Sequence, residues 1–266
     1  MGELIFIKLG GSLITDKRVD SCYRAEVVTQ LGKTLRKAWQ SIPDLSILLA
    51  HGSGSFGHSV AARFGTMGGV ASEEEWLGFT QVAHAAAKLN HLVRGDLLKC
   101  RLPIMSMQPS TSLWKERGRL VHYDWLTVRE LLARRVIPLI YGDVALDAKM
   151  GGAIASTEEI LAYLVPPLLP QRILLLGDTA GVYDGAGKVI PSITPANFSQ
   201  YEVLIEGSSG VDVTGGMWSK VRRMVELVKQ HPSVTVRIMG GSDPNSFLAA
   251  LKGGGAVTPG TLIQAQ

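Results

Sequence analysis

Short apolar runs recur along the chain, and each stops at glycine. Leu4, Ile5, Phe6 and Ile7 lead into Lys8 and the Gly10-Gly11 pair. Residues 45–50 end at His51-Gly-Ser-Gly-Ser-Phe-Gly-His58, and residues 136–141 end at Gly142-Asp143. Residues 172–176 stop at Gly177-Asp178, and 234–239 at Gly240-Gly241. The first two runs, without polar alternation, predict strands buried on both faces, and the other three also predict strands. Between them lie segments of helical period. Val27, Val28, Leu31, Leu35 and Ala38 mark a helix over 23–39. Ser72 followed by Glu75 forms a capping-box signature. The long helix behind it carries Trp76, Phe79, Val82, Ala86, Leu89, Leu92 and Val93, and Pro103 follows its end.

The second half repeats the pattern. Gly151-Gly152 begins a loop, Glu158 onward is helical, and the alternation restarts after Pro166-Pro167. Gly181 to Asp184 reads as a short strand and turn. Gly215-Gly216 opens a helix over 217–229, and Asp243-Pro244 supplies an N-cap and first residue for another. Residues 256–263 suit an edge strand interrupted by Pro259 and Gly260. Strands alternating with helices place the chain in the α/β class, with a mainly parallel sheet covered on both faces. In such sheets ligands sit beyond the carboxyl ends of the strands, where this chain concentrates its glycines. The 166–170 region is the best place to divide two lobes.

Composition narrows the class further. A chain of 266 residues with 46% hydrophobic residues has the material for a substantial core, which excludes disorder. The apolar stretch around 161–169 is short and carries two prolines, so no membrane span is expected. Lys8 inside the first apolar run argues against a signal peptide. Two cysteines, Cys22 and Cys100, read as reduced thiols in a cytoplasm. A net charge of +4 is too mild for nucleic acid and suits an enzyme that handles small anionic phosphates.

The glycine loops carry the candidate chemistry. Gly52-x-Gly54-x-x-Gly57 has dinucleotide-binding spacing, but it lacks the acidic residue at the end of a following strand that a nicotinamide enzyme uses. No P-loop lysine motif occurs. Bare backbone at a helix start still binds anions, and His58 borders that loop. Lys8 and Lys17 flank Gly10-Gly11, and Lys220 follows Gly215-Gly216 by about one turn. Each lysine alone reads equally as a solvated side chain; three such loops together point to phosphate binding. His51, His84, His91, His122 and His231 show no metal-ligand spacing, so no protein-bound metal is expected. No nucleophile elbow is present. Arg134-Arg135 and Arg222-Arg223 read as solvated helix faces.

Lys8-Leu-Gly-Gly-Ser-Leu-Ile-Thr, the His51–His58 loop, Tyr141-Gly-Asp-Val144, Gly181-Val-Tyr-Asp184 and Asp212-Val-Thr-Gly-Gly-Met217 occur in the order of the amino acid kinase superfamily. The Phe-Gly-His ending resembles its isopentenyl phosphate kinases, with fosfomycin kinase a near relative. The resemblance implies a three-layer α/β/α sandwich around a sheet of roughly eight strands. Residues 1–168 would form the lobe for the phosphorylated acceptor and 169–266 the ATP lobe. It implies a homodimer that transfers the ATP γ-phosphate, with Mg²⁺ on the nucleotide, to isopentenyl phosphate, with tolerance of dimethylallyl phosphate.

By the same resemblance Lys8, Lys17, His58 and Lys220 would be catalytic. Gly10, Gly11, Ser12, Gly54, Asp178, Tyr183, Gly215 and Gly216 would serve the nucleotide. Ser53, Gly54, His58 and Thr157 would meet the acceptor phosphate, with Phe79, Val82, Val144 and Ile154 around its tail. Three departures stand out. Ser53 interrupts a glycine triplet. Ser156-Thr157-Glu158 stands where Ser-Gly-Asp is usual, and Asp178-Thr-Ala-Gly181 where Asp-Val-Asp-Gly is usual. Kinases of another small phosphate or phosphonate, such as fosfomycin, and a non-catalytic nucleotide or prenyl-phosphate sensor are the alternatives.

Overall fold

In the computed structural model, residues 2–16, 18–57, 69–201, 216–253 and 258–266 are described. The first half contains β1 (Leu4–Leu9), α1 (Gly11–Ile14), β2 (Thr15–Asp16), β3 (Cys22–Tyr23), α2 (Ala25–Ser41), β4 (Ser46–His51) and α3 (Glu73–Lys99). There follow β5 (Ile104–Ser106), β6 (Trp114–Glu116), β7 (Arg119–His122), α4 (Trp125–Ala133), β8 (Ile137–Tyr141), β9 (Asp143–Asp147), β10 (Gly151–Ala155) and α5 (Thr157–Leu168). The rest comprises β11 (Arg172–Gly177), β12 (Ser192–Ile193), α6 (Gly216–Gln230), β13 (Thr235–Gly240), α7 (Pro244–Leu251) and β14 (Thr261–Ile263).

The apolar runs assemble into an 8-stranded sheet of order β12-β14-β13-β11-β1-β4-β8-β5. Every pairing in it is parallel except β13 with β14. Strand alternation splits the core into two layers. Ile5, Ile7 and Leu9 of β1 pack with Leu31 and Leu35 of α2, Val93 of α3 and Phe247 of α7. Phe6 faces the other way, onto Ile160 and Leu164 of α5 and Val221 and Val225 of α6. Lys8 has the parity of Phe6, so its ammonium is delivered to the layer built by α5 and α6.

Four elements differ from the sequence expectations. Gly151-Gly152 starts β10 rather than a loop; β10 pairs antiparallel with β9 in a second sheet of order β10-β9-β6-β7. Glycine is required at 152 because a Cβ there would lie 2.7 Å from the Phe79 ring. The strand near the C-terminus is not an edge: β14 lies between β13 and β12. Pro166 and Pro167 lie inside α5, in its last turn, where they remove two i→i−4 donors just before the helix ends at Leu169 in the left-handed conformation. At Gly181–Asp184 only a bridge forms, between Tyr183 and Val189.

The helix starts follow their capping signals. Ser72 Oγ accepts the Glu75 N–H, and the Glu75 carboxylate returns to the Ser72 N–H at 2.8 Å. Asp243 caps α7, with Pro244 as its first residue. The second sheet is fastened to α5 by Lys115, which is 4% exposed and donates to the Glu159 carboxylate and the Ile154 carbonyl, both at 2.9 Å.

Candidate active site

Two glycine loops meet at the carboxyl ends of β1 and β4. Each is anchored to a neighbouring strand, Gly10 N–H to the Leu176 carbonyl at 2.7 Å and Gly52 N–H to the Leu9 carbonyl at 3.0 Å. A Cβ on Gly11 would lie 2.5 Å from the Gly54 nitrogen, so only glycine lets these backbones touch. Thr15 joins the loops: its hydroxyl donates to the Gly11 carbonyl at 2.7 Å and accepts the Ser55 N–H at 3.0 Å.

The cleft beyond these loops is lined by Lys8, Gly10, Gly11, Ser12, Ser53, Gly54, Thr157, Asp178, Gly216 and Lys220, all expected from the sequence. Lys8 is 8% exposed and ion-paired with Glu158. Burial pushes the Glu158 carboxyl up, but the ammonium groups of Lys8 and Lys220 more than offset this and hold it well below the usual carboxylate range. Around Glu158 two cations face one carboxylate, a local surplus of positive charge that an anion complements, while Asp178 and Asp143 line the cleft elsewhere. The added methylene of Glu158, relative to aspartate, therefore still delivers its carboxylate to Lys8.

Thr157 does not crowd the cleft with a free hydroxyl. Its Oγ1 donates to the buried His51 carbonyl at 2.8 Å. Ser12 donates to Asp178 at 3.1 Å across the mouth between β1 and β11. Asp143 is 2% exposed and accepts the N–H groups of Val144 and Ser110; burial raises its pKa.

One wall is apolar. Val82 and Ala86 of α3 and Ile154 of β10 line it. Phe79 and Val144 do not reach the cleft surface; they pack behind it with Val70. Tyr183 lies outside the cleft, 41% exposed, and its hydroxyl accepts the Ala180 N–H at 3.4 Å. Lys17, His58 and Gly215 lie outside the described residues.

Arg223 corrects the reading of Arg222-Arg223 as a solvated pair. Arg222 stacks over Trp218 at 5.0 Å, whereas Arg223 lines the cleft and donates to Ser156 Oγ at 3.2 Å. Its spacing of three from Lys220 puts both cations on one helix face, a signal visible in the sequence. Of the other pair, Arg134 bonds Glu130, while Arg135 lies over Trp39. Among the described residues no group of three or more His, Cys, Asp or Glu side chains is arranged to hold a metal. The donor set of backbone amides and cations suits phosphate oxygens instead.

Residues 3–239 match the Amino acid kinase family. The isopentenyl phosphate kinase of Methanothermobacter thermautotrophicus is 31% identical over 260 residues, covering 94% of this chain and 96% of that protein. That of Methanocaldococcus jannaschii is 28% identical over 259 residues, covering 94% and 95%. A solved isopentenyl phosphate kinase structure superposes with a TM-score of 0.82 at 27% identity, covering 98% of this chain and 100% of the other. Cleft geometry, motif order and these full-length likenesses agree: the chain belongs to the amino acid kinase family, among its isopentenyl phosphate kinases.

Proposed function

We propose that this protein transfers the γ-phosphate of ATP to isopentenyl phosphate, giving isopentenyl diphosphate and ADP. The observation that carries the reading is one cleft combining a local surplus of positive charge, where Lys8 and Lys220 flank Glu158, with an apolar wall at Val82, Ala86 and Ile154. A phosphate on a short hydrocarbon tail matches both halves. The full-length similarity to isopentenyl phosphate kinases supports the same substrate.

An oxygen of the acceptor phosphate attacks the γ-phosphorus as its bond to the β-phosphate oxygen breaks, and ADP leaves with that electron pair. The nucleophile is already anionic, so no general base is required. The protein's task is to suppress repulsion between two phosphates and align them in line. Lys8 and Lys220 neutralise the transferring group, and Glu158 holds Lys8 in place. Gly11, Ser12, Gly54 and Gly216 bring backbone toward the nucleotide phosphates, and Asp178 lies beside them. The amide of Ser53 serves the acceptor phosphate.

In this reading Lys17 and His58 complete the set, Lys17 on the transferring phosphoryl group and His58 on the acceptor. Residues 1–168 hold the acceptor and 169–266 the nucleotide. Mg²⁺ bound to ATP would supply charge screening for its phosphates, with Lys8 and Lys220 as the protein's own cations beside them. The protein works as a homodimer in the cytoplasm. No helix among the described residues is long and apolar enough to cross a membrane.

The test is ADP release with Mg-ATP and a panel of isopentenyl, dimethylallyl and geranyl phosphates, fosfomycin and acetylglutamate. Turnover confined to the five-carbon phosphates supports the reading. Turnover with fosfomycin alone replaces the acceptor, and ATP binding without any turnover replaces the kinase with a sensor. Loss of turnover in EDTA tests the magnesium, and light scattering tests the dimer.

A further inference from the structure

His51 is completely buried at the end of β4, beneath the second glycine loop. Its ring stacks on Tyr141, with centroids 5.4 Å apart and planes 8° from parallel. Both ring nitrogens are engaged. Nδ1 lies 3.0 Å from the Gly52 carbonyl, and Nε2 lies 3.1 Å from Asn90 Nδ2 on α3. Asn90 in turn accepts the Ser106 hydroxyl at 2.5 Å through Oδ1.

This chain of partners fixes the direction of every proton. Ser106 can only donate to Asn90 Oδ1, so the Asn90 amide group turns its N–H toward His51. Nε2 must then be the acceptor, and the proton of the neutral ring sits on Nδ1, where it donates to the Gly52 carbonyl.

The Gly52–Ser53 peptide is trans, so its C=O and N–H point in opposite directions. With the carbonyl held inward by the ring, the Ser53 N–H points away from the core, on the side where Gly52 and Ser53 line the cleft. Of the neighbouring loop amides, Gly52 N–H is taken by the Leu9 carbonyl, Ser55 N–H by the Thr15 hydroxyl and Phe56 N–H by the Ser53 carbonyl, while the Gly54 nitrogen packs against Gly11. Among the described residues Ser53 N–H has no acceptor.

We propose that His51 is a positioning residue, whose Nδ1–H, set by the Asn90–Ser106 relay, locks the Gly52–Ser53 peptide so that the Ser53 amide is presented to the acceptor phosphate. The proposal deepens the kinase reading and rests on it for the identity of that phosphate. His51 touches no substrate. Its role is to pre-set a donor that a free glycine loop would present only part of the time.

Two substitutions separate this role from simple core packing. His51→Asn places an amide nitrogen near the position of Nδ1 and keeps the bond to Gly52. His51→Gln reaches the position of Nε2, keeps Asn90 and abandons Gly52. The KM for isopentenyl phosphate should stay within about threefold of wild type for His51→Asn and rise about tenfold or more for His51→Gln, the loss of one hydrogen bond to a charged group. Equal effects in two folded variants overturn the proposal.

Nitrogen-15 spectra of the wild-type imidazole provide an arm that needs no variant and no turnover. The Nδ1–H form with bare Nε2 at neutral pH is expected, and inorganic phosphate should shift the Ser53 amide resonance. An Nε2–H ring, or a Ser53 amide indifferent to phosphate, overturns the proposal. If wild type fails to phosphorylate isopentenyl phosphate, the kinase reading falls, and these spectra still decide the role of His51.

Discussion

The Lys8 ammonium and the Glu158 carboxylate are ion-paired inside the cleft, one from the central strand and the other from the first turn of α5. The pair joins the sheet to the layer that carries Lys220. Glu158→Gln keeps the shape and removes the charge, leaving two ammonium groups to repel each other. We expect kcat to fall about tenfold or more, with a smaller change in the KM for ATP. Steady-state kinetics with both substrates varied checks this, and an unchanged kcat would remove Glu158 from the machinery.

Burial pushes the His51 pKa down to about 4, with Lys8 adding to the effect and the Gly52 bond opposing it. The folded pKa is below the unfolded one, so the unfolded chain binds the extra proton first. Stability from this residue is full above about pH 6.5 and is lost as pH falls toward 4, by up to roughly 3 kcal/mol. Urea midpoints measured at pH 7 and pH 5 should differ in that direction. The difference should shrink in His51→Asn.

Lys115 is buried under the second sheet with Glu159 and the Ile154 carbonyl as its partners. Lys115→Met fills the space but leaves a part-buried carboxylate and a carbonyl without their donor. We expect a loss of roughly 3 kcal/mol in urea unfolding. The KM for isopentenyl phosphate should rise too, because Ile154 belongs to the tail wall. A variant as stable as wild type would show that α5 holds the sheet by apolar packing alone.

Val82 and Ile154 both line the apolar wall. Truncating both to alanine removes several methyl groups from the site, each worth about 0.8 kcal/mol of buried area. The kcat/KM for isopentenyl phosphate should fall by about tenfold or more, while that for geranyl phosphate should rise. Competition between the two acceptors gives the ratio directly. Phe79→Ala, behind the wall, should cost stability more than selectivity.

Five strands of the main sheet, β1, β4, β8, β11 and β13, were legible because each is a mostly apolar run that stops at glycine; β5 and β12 are too short to carry that pattern. The second sheet was not. Trp114–Glu116 and Arg119–His122 are short and largely polar, with one face toward solvent. They are held by Lys115 and by Asp147, which accepts the Arg117, Gly118, Lys149 and Met150 N–H groups. Neither anchor has a periodic signature.

Within the site, Lys8, Gly11 and Lys220, which the glycine motifs single out, line one cleft. Tail residues depend on position along the helix axis: Phe79 and Val82 share a face of α3, but only Val82, one turn further along, lines the cleft. Arg223 was passed over because a basic pair on a helix suggests solvent until the helix is docked.

The hydroxyl of Thr15 bonds both glycine loops at once. Those loops end adjacent parallel strands, whose axes are separated by about 4.8 Å in any sheet. The spacing between the two glycine loops is therefore a ruler cut into the sheet itself. Closing motions elsewhere can expel water or seat a tail, but they do not set that gap. An enzyme so built meets the demand for in-line approach through strand register, before either substrate arrives.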